Sequence, residues 1–176
     1  MIASDRFRLP LCFALTMALT AVAAAADVAG LVDIGSGRKM YLACRGEGSP
    51  VVVLISGKGN GAADWSEILD PSDPVHQADY DALAWGKGTS QKSASAVFPA
   101  VSRFTRVCAY DRPGVRLDGP DQSTPVAQPH KADVAADDLH RLLIAAGERG
   151  PYVLVAHSYG GVVAALFART WPDDVA

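Results

Sequence analysis

No stretch of this sequence gathers lysine and arginine into a run, and acidic side chains slightly outnumber basic ones, 19 to 16. A nucleic-acid partner would need a basic stripe, so that class is excluded. Charged residues make up only 20% of the chain against 49% hydrophobic ones, which excludes a disordered polyelectrolyte. Three cysteines and four histidines are too few and too scattered to give a zinc spacing, so neither a metal nor a cofactor is expected. Internal repeats and low-complexity tracts are lacking beyond the N-terminus, and after residue 26 no apolar run is long enough to span a bilayer. A length of 176 residues makes one domain the default.

The first segment is unlike the rest. Arg6 and Arg8 precede an uncharged apolar stretch, and Ala24, Ala25 and Ala26 provide the small residues that a signal peptidase reads. Residues 1–26 are therefore read as a secretory signal peptide and residues 27–176 as the mature domain, secreted or periplasmic, with no membrane association after cleavage. Cys44 and Cys108 remain, an even count that permits one disulfide in an oxidising compartment and equally permits two buried thiols.

The mature part opens with two short apolar-rich segments, residues 30–35 and 39–44, separated by Gly35, Ser36 and Gly37, which reads as a hairpin. Val51, Val52, Val53, Leu54 and Ile55 form a continuous, mostly β-branched run, the pattern of a parallel strand buried on both faces. A glycine-rich loop follows at 57–61, then a short helix is expected over 62–69. Residues 70–94 form an irregular insertion, and the end of a helix is expected at 97–101. Residues 104–110 read as the next strand. The clearest helix covers 132–146, where Ala135, Leu139, Leu142, Leu143 and Ala146 recur at helical spacing while Asp137, Asp138 and Arg141 are placed outward. A second buried strand at 152–156 and a helix at 162–170 complete an alternation of strand and helix that implies an α/β fold, a mostly parallel sheet flanked by helices.

The strongest chemical signal is Ala156-His157-Ser158-Tyr159-Gly160-Gly161, entered from a buried strand and left by a helix. This is the setting of a nucleophile elbow, which holds its serine at positive φ on a tight turn, with small residues, here Ala156 and Gly160, two places to either side. Ser158 is then the candidate nucleophile, and the Tyr159 amide, at the helix N-terminus, the first donor to an oxyanion. In such a fold the loop after the strand at 51–55 supplies a second donor, for which Lys58 N–H is the candidate.

Together with Arg106-Val107-Cys108-Ala109-Tyr110-Asp111-Arg112-Pro113-Gly114, these motifs resemble the α/β-hydrolase superfamily over residues 30–176. Ala156 replaces the first elbow glycine of that family, and Arg116 and Asp118 replace a glycine and a serine that usually follow the Asp-Arg-Pro-Gly run. The resemblance implies a serine hydrolase of esterase type that acts on a small-molecule acyl substrate. It also implies an antiparallel second strand beside the fourth, which would bring Cys44 and Cys108 together as a disulfide. The family's catalytic acid and histidine follow the serine in chain order, yet after Ser158 come Asp173 and Asp174 and no histidine. His76, His130, His140 and His157 are all poorly placed to act as base, because the first three lie upstream and His157 points to the opposite face from its neighbour. The chain is accordingly expected to be an N-terminal fragment, with the C-terminal strands of the sheet missing and the acid and base beyond residue 176.

Two other readings compete. A non-catalytic hydrolase-fold binding protein would account for the missing acid and base. A dinucleotide-binding oxidoreductase is suggested by Gly57, Gly59 and Ala62 after a buried strand, with Asp79 and Asp81 about 20 residues on. A P-loop is excluded, since Gly57-Lys58 and Gly86-Lys87 are each followed by glycine rather than by the Ser or Thr that would hold magnesium.

Overall fold

A computed structural model describes residues 26–70, 72, 90–114 and 122–176. Nearly all of the expected signal peptide, most of the 70–94 insertion, His76, Asp79, Asp81, Arg116 and Asp118 lie outside the described residues.

The hairpin forms as β1 (Val28–Gly35) and β2 (Arg38–Arg45), turning through Gly35, Ser36 and Gly37, all at positive φ. These strands join β3 (Val51–Ile55), β6 (Val107–Tyr110) and β7 (Tyr152–Ala156) in a five-stranded sheet of order β1-β2-β6-β3-β7. β2 runs antiparallel to β6, whereas β3 is parallel to both β6 and β7. The centre of the sheet is β3, and all five of its residues are buried. Val51, Val53 and Ile55 pack with Leu139, Leu142 and Leu143 of α2 (Ala132–Ala145) and with Val163 and Phe167 of α3 (Gly160–Thr170). Val52 and Leu54 point the other way, onto Ala62, Val107, Ala109 and Phe98 of α1 (Val97–Val101). The continuous apolar run is thus explained by a strand with a covered layer on each side. Among the described residues β1 and β7 are the two edge strands, and Tyr152 of β7 pairs on its outer side with Val175, whose neighbour Ala176 donates to Tyr152 O at 2.9 Å.

Cys44 and Cys108 face each other across the β2–β6 ladder and are joined by a disulfide, both fully buried. The bridge closes a loop with a sequence separation of 64, and the chain-entropy model gives such a crosslink about 4 kcal/mol of stabilisation. Reduction, or Cys44→Ala with Cys108→Ala, is therefore expected to lower the unfolding free energy by roughly 2–5 kcal/mol. Urea unfolding with and without dithiothreitol measures this, and coincident midpoints would exclude it.

Three local expectations need correction. The segment at 62–69 is not a helix. A 3₁₀ turn at Ala63–Ser66 passes directly into β4 (Glu67–Leu69), which pairs antiparallel with β5 (Ser90–Lys92). That ladder is a contact between distant segments, and no local period announces it. Among the described residues β3 is followed directly by a loop and a 3₁₀ turn, so the helix that the dinucleotide reading needs to open at Gly57–Ala62 is not formed there. The strand expected from residue 104 begins only at Val107. Phe104 is exposed, and the Arg106 guanidinium is turned into a buried ion pair with Glu148 at 2.6 Å and a bond to Gly46 O at 3.1 Å.

The third correction concerns Asp138, which faces inward and is 2% exposed. It accepts two bonds from Arg38, at 2.8 and 2.5 Å, and one contact at 3.1 Å from His130 Nε2. Its position is three residues after Ala135 and four before Leu142, on the buried face of α2, so its charge is tolerated only because it is paired. Asp137 and Arg141 do lie outside, bonded to each other at 2.8 Å.

Tyr110 ends β6 wholly buried, its hydroxyl without a hydrogen-bond partner among the described residues. Burial pushes its ionisation up to about 12, and burial likewise raises Tyr152 to about 12. Free tyrosine ionises near 10. The folded state therefore holds these protons more tightly than the unfolded chain. That contribution to stability is complete below pH 10 and is lost as pH rises from about 10 to about 12. The urea midpoint should fall across that window. Tyr110→Phe should flatten the fall, because it removes one of the two buried phenols whose ionisation burial opposes. An unchanged alkaline slope in Tyr110→Phe would count against this account.

Candidate active site

The parallel strands β6, β3 and β7 all end at the same rim of the sheet, where α/β proteins build their sites. Three loops meet there. The first leaves β7. His157 N still donates to Ile55 O at 3.0 Å, which keeps the chain in the ladder, while Gly160 N and Gly161 N already donate to His157 O and Ser158 O at 2.9 Å, which starts α3. Between ladder and helix only one residue remains to reverse the chain, and Ser158 does so at φ 53°. Its side chain is exposed, and Oγ has no hydrogen-bond partner among the described residues. The Tyr159 amide, at the N-terminus of α3, is likewise unengaged among them.

The second loop leaves β3 and passes close beside the elbow. A Cβ on Gly57 would lie 2.8 Å from His157 Nδ1 and 3.0 Å from Ser158 Cβ, so only glycine allows this approach. Lys58 follows with its side chain exposed and its amide unengaged among the described residues. The loop is internally braced. Ser56 Oγ donates to Gly61 O at 2.9 Å and accepts from Trp65 Nε1 at 2.7 Å, and Gly61 N donates to Asp64 at 2.5 Å.

The third loop leaves β6 with Asp111 and Arg112, both buried. Asp111 Oδ1 accepts from Ala62 N at 2.7 Å, and the Arg112 guanidinium donates to Ser56 O and Gly57 O at 2.5 and 2.8 Å. Neither residue stands out in the sequence as a site residue. The available signal was a charged pair directly after a fully apolar strand, at the strand end where sites form.

Ser158, Tyr159 and Lys58 are thus brought to one locus, while Cys44 and Cys108 lie within the sheet. A cleft of about 610 Å³ opens beside Tyr159, Lys58 and Arg112, and a smaller one of about 230 Å³ beside His157, Gly57 and Trp65. The described histidines are otherwise engaged or displaced. His130 is held by Asp138, and His140 bonds Asp174 at 2.9 Å and stacks on Trp171 at 4.0 Å. His157 is exposed on the side of Gly57.

A strand-elbow-helix serine at the rim of a mixed sheet defines a hydrolase-type α/β scaffold. The chain belongs to the Alpha/beta hydrolase family, which it matches over residues 52–176. It is 42% identical over 79 residues to an uncharacterised protein of Schizosaccharomyces pombe, covering 45% of this chain and 14% of that protein. To a probable transporter of Hormonema carpetanum it is 29% identical over 145 residues, covering 81% of this chain and 16% of the other. Among solved structures it is similar to an epoxide hydrolase of Vigna radiata, with 22% identity and a TM-score of 0.56 over 85% of this chain and 36% of that one. It is also similar to an epoxide hydrolase of Bacillus megaterium, with 18% identity and a TM-score of 0.54 over 82% and 39%. At these identities the structural likeness carries the fold. The chain spans well under half the length of these relatives.

Proposed function

We propose that the protein is an exported serine hydrolase that acts on an ester or related acyl substrate, with Ser158 as nucleophile. The observation that carries the proposal is Ser158 itself, held at φ 53° between β7 and α3 with the Gly57 loop against it. A non-glycine residue at positive φ is strained, and such strain is kept where the side chain must stand clear of the backbone. Epoxide hydrolases of this superfamily use a carboxylate at the elbow. The hydroxyl here favours acyl transfer over epoxide opening.

In the proposed reaction Ser158 Oγ attacks the substrate carbonyl carbon and its proton passes to a general base, which we assign to chain outside the described residues. The carbonyl oxygen becomes an oxyanion that accepts from the Tyr159 and Lys58 amides. Collapse breaks the bond to the alcohol, which takes the proton from the base, and leaves an acyl-serine. Water then attacks the acyl carbon through the same oxyanion, releasing the acid and restoring the Ser158 hydroxyl. The cleft beside Tyr159 and the smaller one beside His157 flank the nucleophile and offer space for the two parts of such a substrate. The Cys44–Cys108 disulfide supports an oxidising compartment, in keeping with a cleaved segment at residues 1–26.

The test is to incubate the full-length protein with a fluorophosphonate, digest it and locate the adduct by mass spectrometry. One adduct per chain, on Ser158, is expected. A folded protein that takes up no label would overturn the proposal and favour the non-catalytic binding protein.

A further inference from the structure

We propose that Arg112 is the positioning residue of the oxyanion hole, a buried cation that sets both of its donors from behind. The inference rests on Ser158 being the nucleophile and adds to it a group that acts through the loop carrying Lys58.

The loop that carries Lys58 has no helix or ladder to fix it, and its internal bonds through Ser56 Oγ, Gly61 and Asp64 do not involve the Gly57–Lys58 peptide. A trans peptide places its C=O and N–H on opposite sides. The carbonyl of Gly57 belongs to the same peptide plane as the Lys58 N–H. Arg112 Nη2 donates to that carbonyl at 2.8 Å, and Nη1 donates to the preceding carbonyl, Ser56 O, at 2.5 Å. Two bonds from one rigid fork fix two successive peptide planes, and the Lys58 N–H is thereby held in one direction. Asn60 N shares Gly57 O at 3.4 Å but cannot replace the fork, because it belongs to the loop that needs holding. Asp111 pins the far end of the loop at Ala62 N, where a Cβ on Gly61 would come within 2.5 Å of the carboxylate. Consecutive residues of one strand end thus clamp the loop at both of its ends.

The same guanidinium reaches the other donor. Its Cζ lies 5.3 Å from the centre of the Tyr159 ring, within cation–π range. The Tyr159 hydroxyl donates to His130 O at 3.3 Å, so the ring is held at its tip as well as its face. Arg112 is 4% exposed. Its charge therefore acts through little water, and by polarising the Gly57–Lys58 peptide it makes that N–H a stronger donor to a developing oxyanion. Lysine could supply the charge but not the fork.

The experiment follows fluorophosphonate labelling of the full-length wild type, Arg112→Lys and Arg112→Ala as a function of probe concentration. Three quantities are read: the maximum labelling rate, the half-saturating concentration and the number of labelled serines per chain. For Arg112→Lys the maximum rate should fall about 10- to 100-fold, short of the 10²–10³ lost with a whole donor, while half-saturation moves less than about threefold. Arg112→Ala should lose more and recover part of its rate in millimolar guanidinium. A merely structural role would lower the number of labelled serines and leave the rate per labelled serine unchanged. That result, or unchanged rates in both variants, overturns the proposal. A wild type that takes no label overturns the nucleophile reading itself, and so the two failures are told apart.

Discussion

Ser158→Ala should abolish fluorophosphonate labelling and any acyl-hydrolase turnover of the full-length protein, with a loss on the order of 10⁶-fold in kcat, as when the nucleophile of a serine hydrolase is removed. The same substitution should leave stability nearly unchanged. Alanine carries a Cβ as serine does and bears the same penalty at φ 53°. Ser158 Oγ has no partner among the described residues to lose. Ser158→Gly separates the two roles. It should be equally inactive, yet more stable by roughly 0.5–1 kcal/mol, because glycine relieves a left-handed penalty of about 1–2 kcal/mol and gives back part of that in unfolded-chain entropy. Thermal unfolding of the three proteins measures the difference, which corresponds to a few degrees at this size. A serine that only fills a turn would give the gain in stability with no loss of activity. A nucleophile gives both.

The parts of this fold that were legible in the sequence are those whose physics is local. β3 could be read because five successive apolar residues leave no solvent face, and α2 because its apolar positions recur at helical spacing. The elbow could be read because strand, serine, glycine pair and helix are contiguous. Contacts between distant segments were not legible. The β4–β5 ladder joins residues 67–69 to residues 90–92, so nothing near 62–69 announces it. Asp138 reads as a surface charge until Arg38, 100 residues earlier, is seen to reach it. Arg112 belongs to a recognisable motif, but its role lies in two carbonyls more than 50 residues upstream. The disulfide falls between these cases. Two cysteines alone left the question open, and the strand order implied by the resemblance placed Cys44 opposite Cys108, as in the structure.

The second large effect is expected at Gly160, next but one to the nucleophile. A Cβ there would stand 2.2 Å from Ile55 O and 2.8 Å from Ser56 O, both of them backbone atoms, whereas a Cβ on the adjacent Gly161 would meet nothing within 4 Å. Gly160→Ala must therefore push α3 off β3 by about 1 Å, because no rotamer change can relieve a clash with main chain. Overpacking of this kind costs about 3 kcal/mol. The displacement acts on the two groups the chemistry needs. The start of α3 carries Ser158 and the Tyr159 amide, and Ser56 leads directly into the loop of Gly57 and Lys58. A misplacement of about 1 Å is enough to lower the labelling rate by about 10²-fold. Gly161→Ala is the matched control. It adds the same methyl one residue on, into open space, and should gain up to about 1 kcal/mol from helix propensity while labelling at the wild-type rate. Equal losses in the two variants would mean that the helix start is merely intolerant of side chains, and the close approach of α3 to β3 would not be what seats the nucleophile. Loss at Gly160 alone locates the constraint in the contact with Ile55 and Ser56, where the strand under the oxyanion loop meets the helix under Ser158.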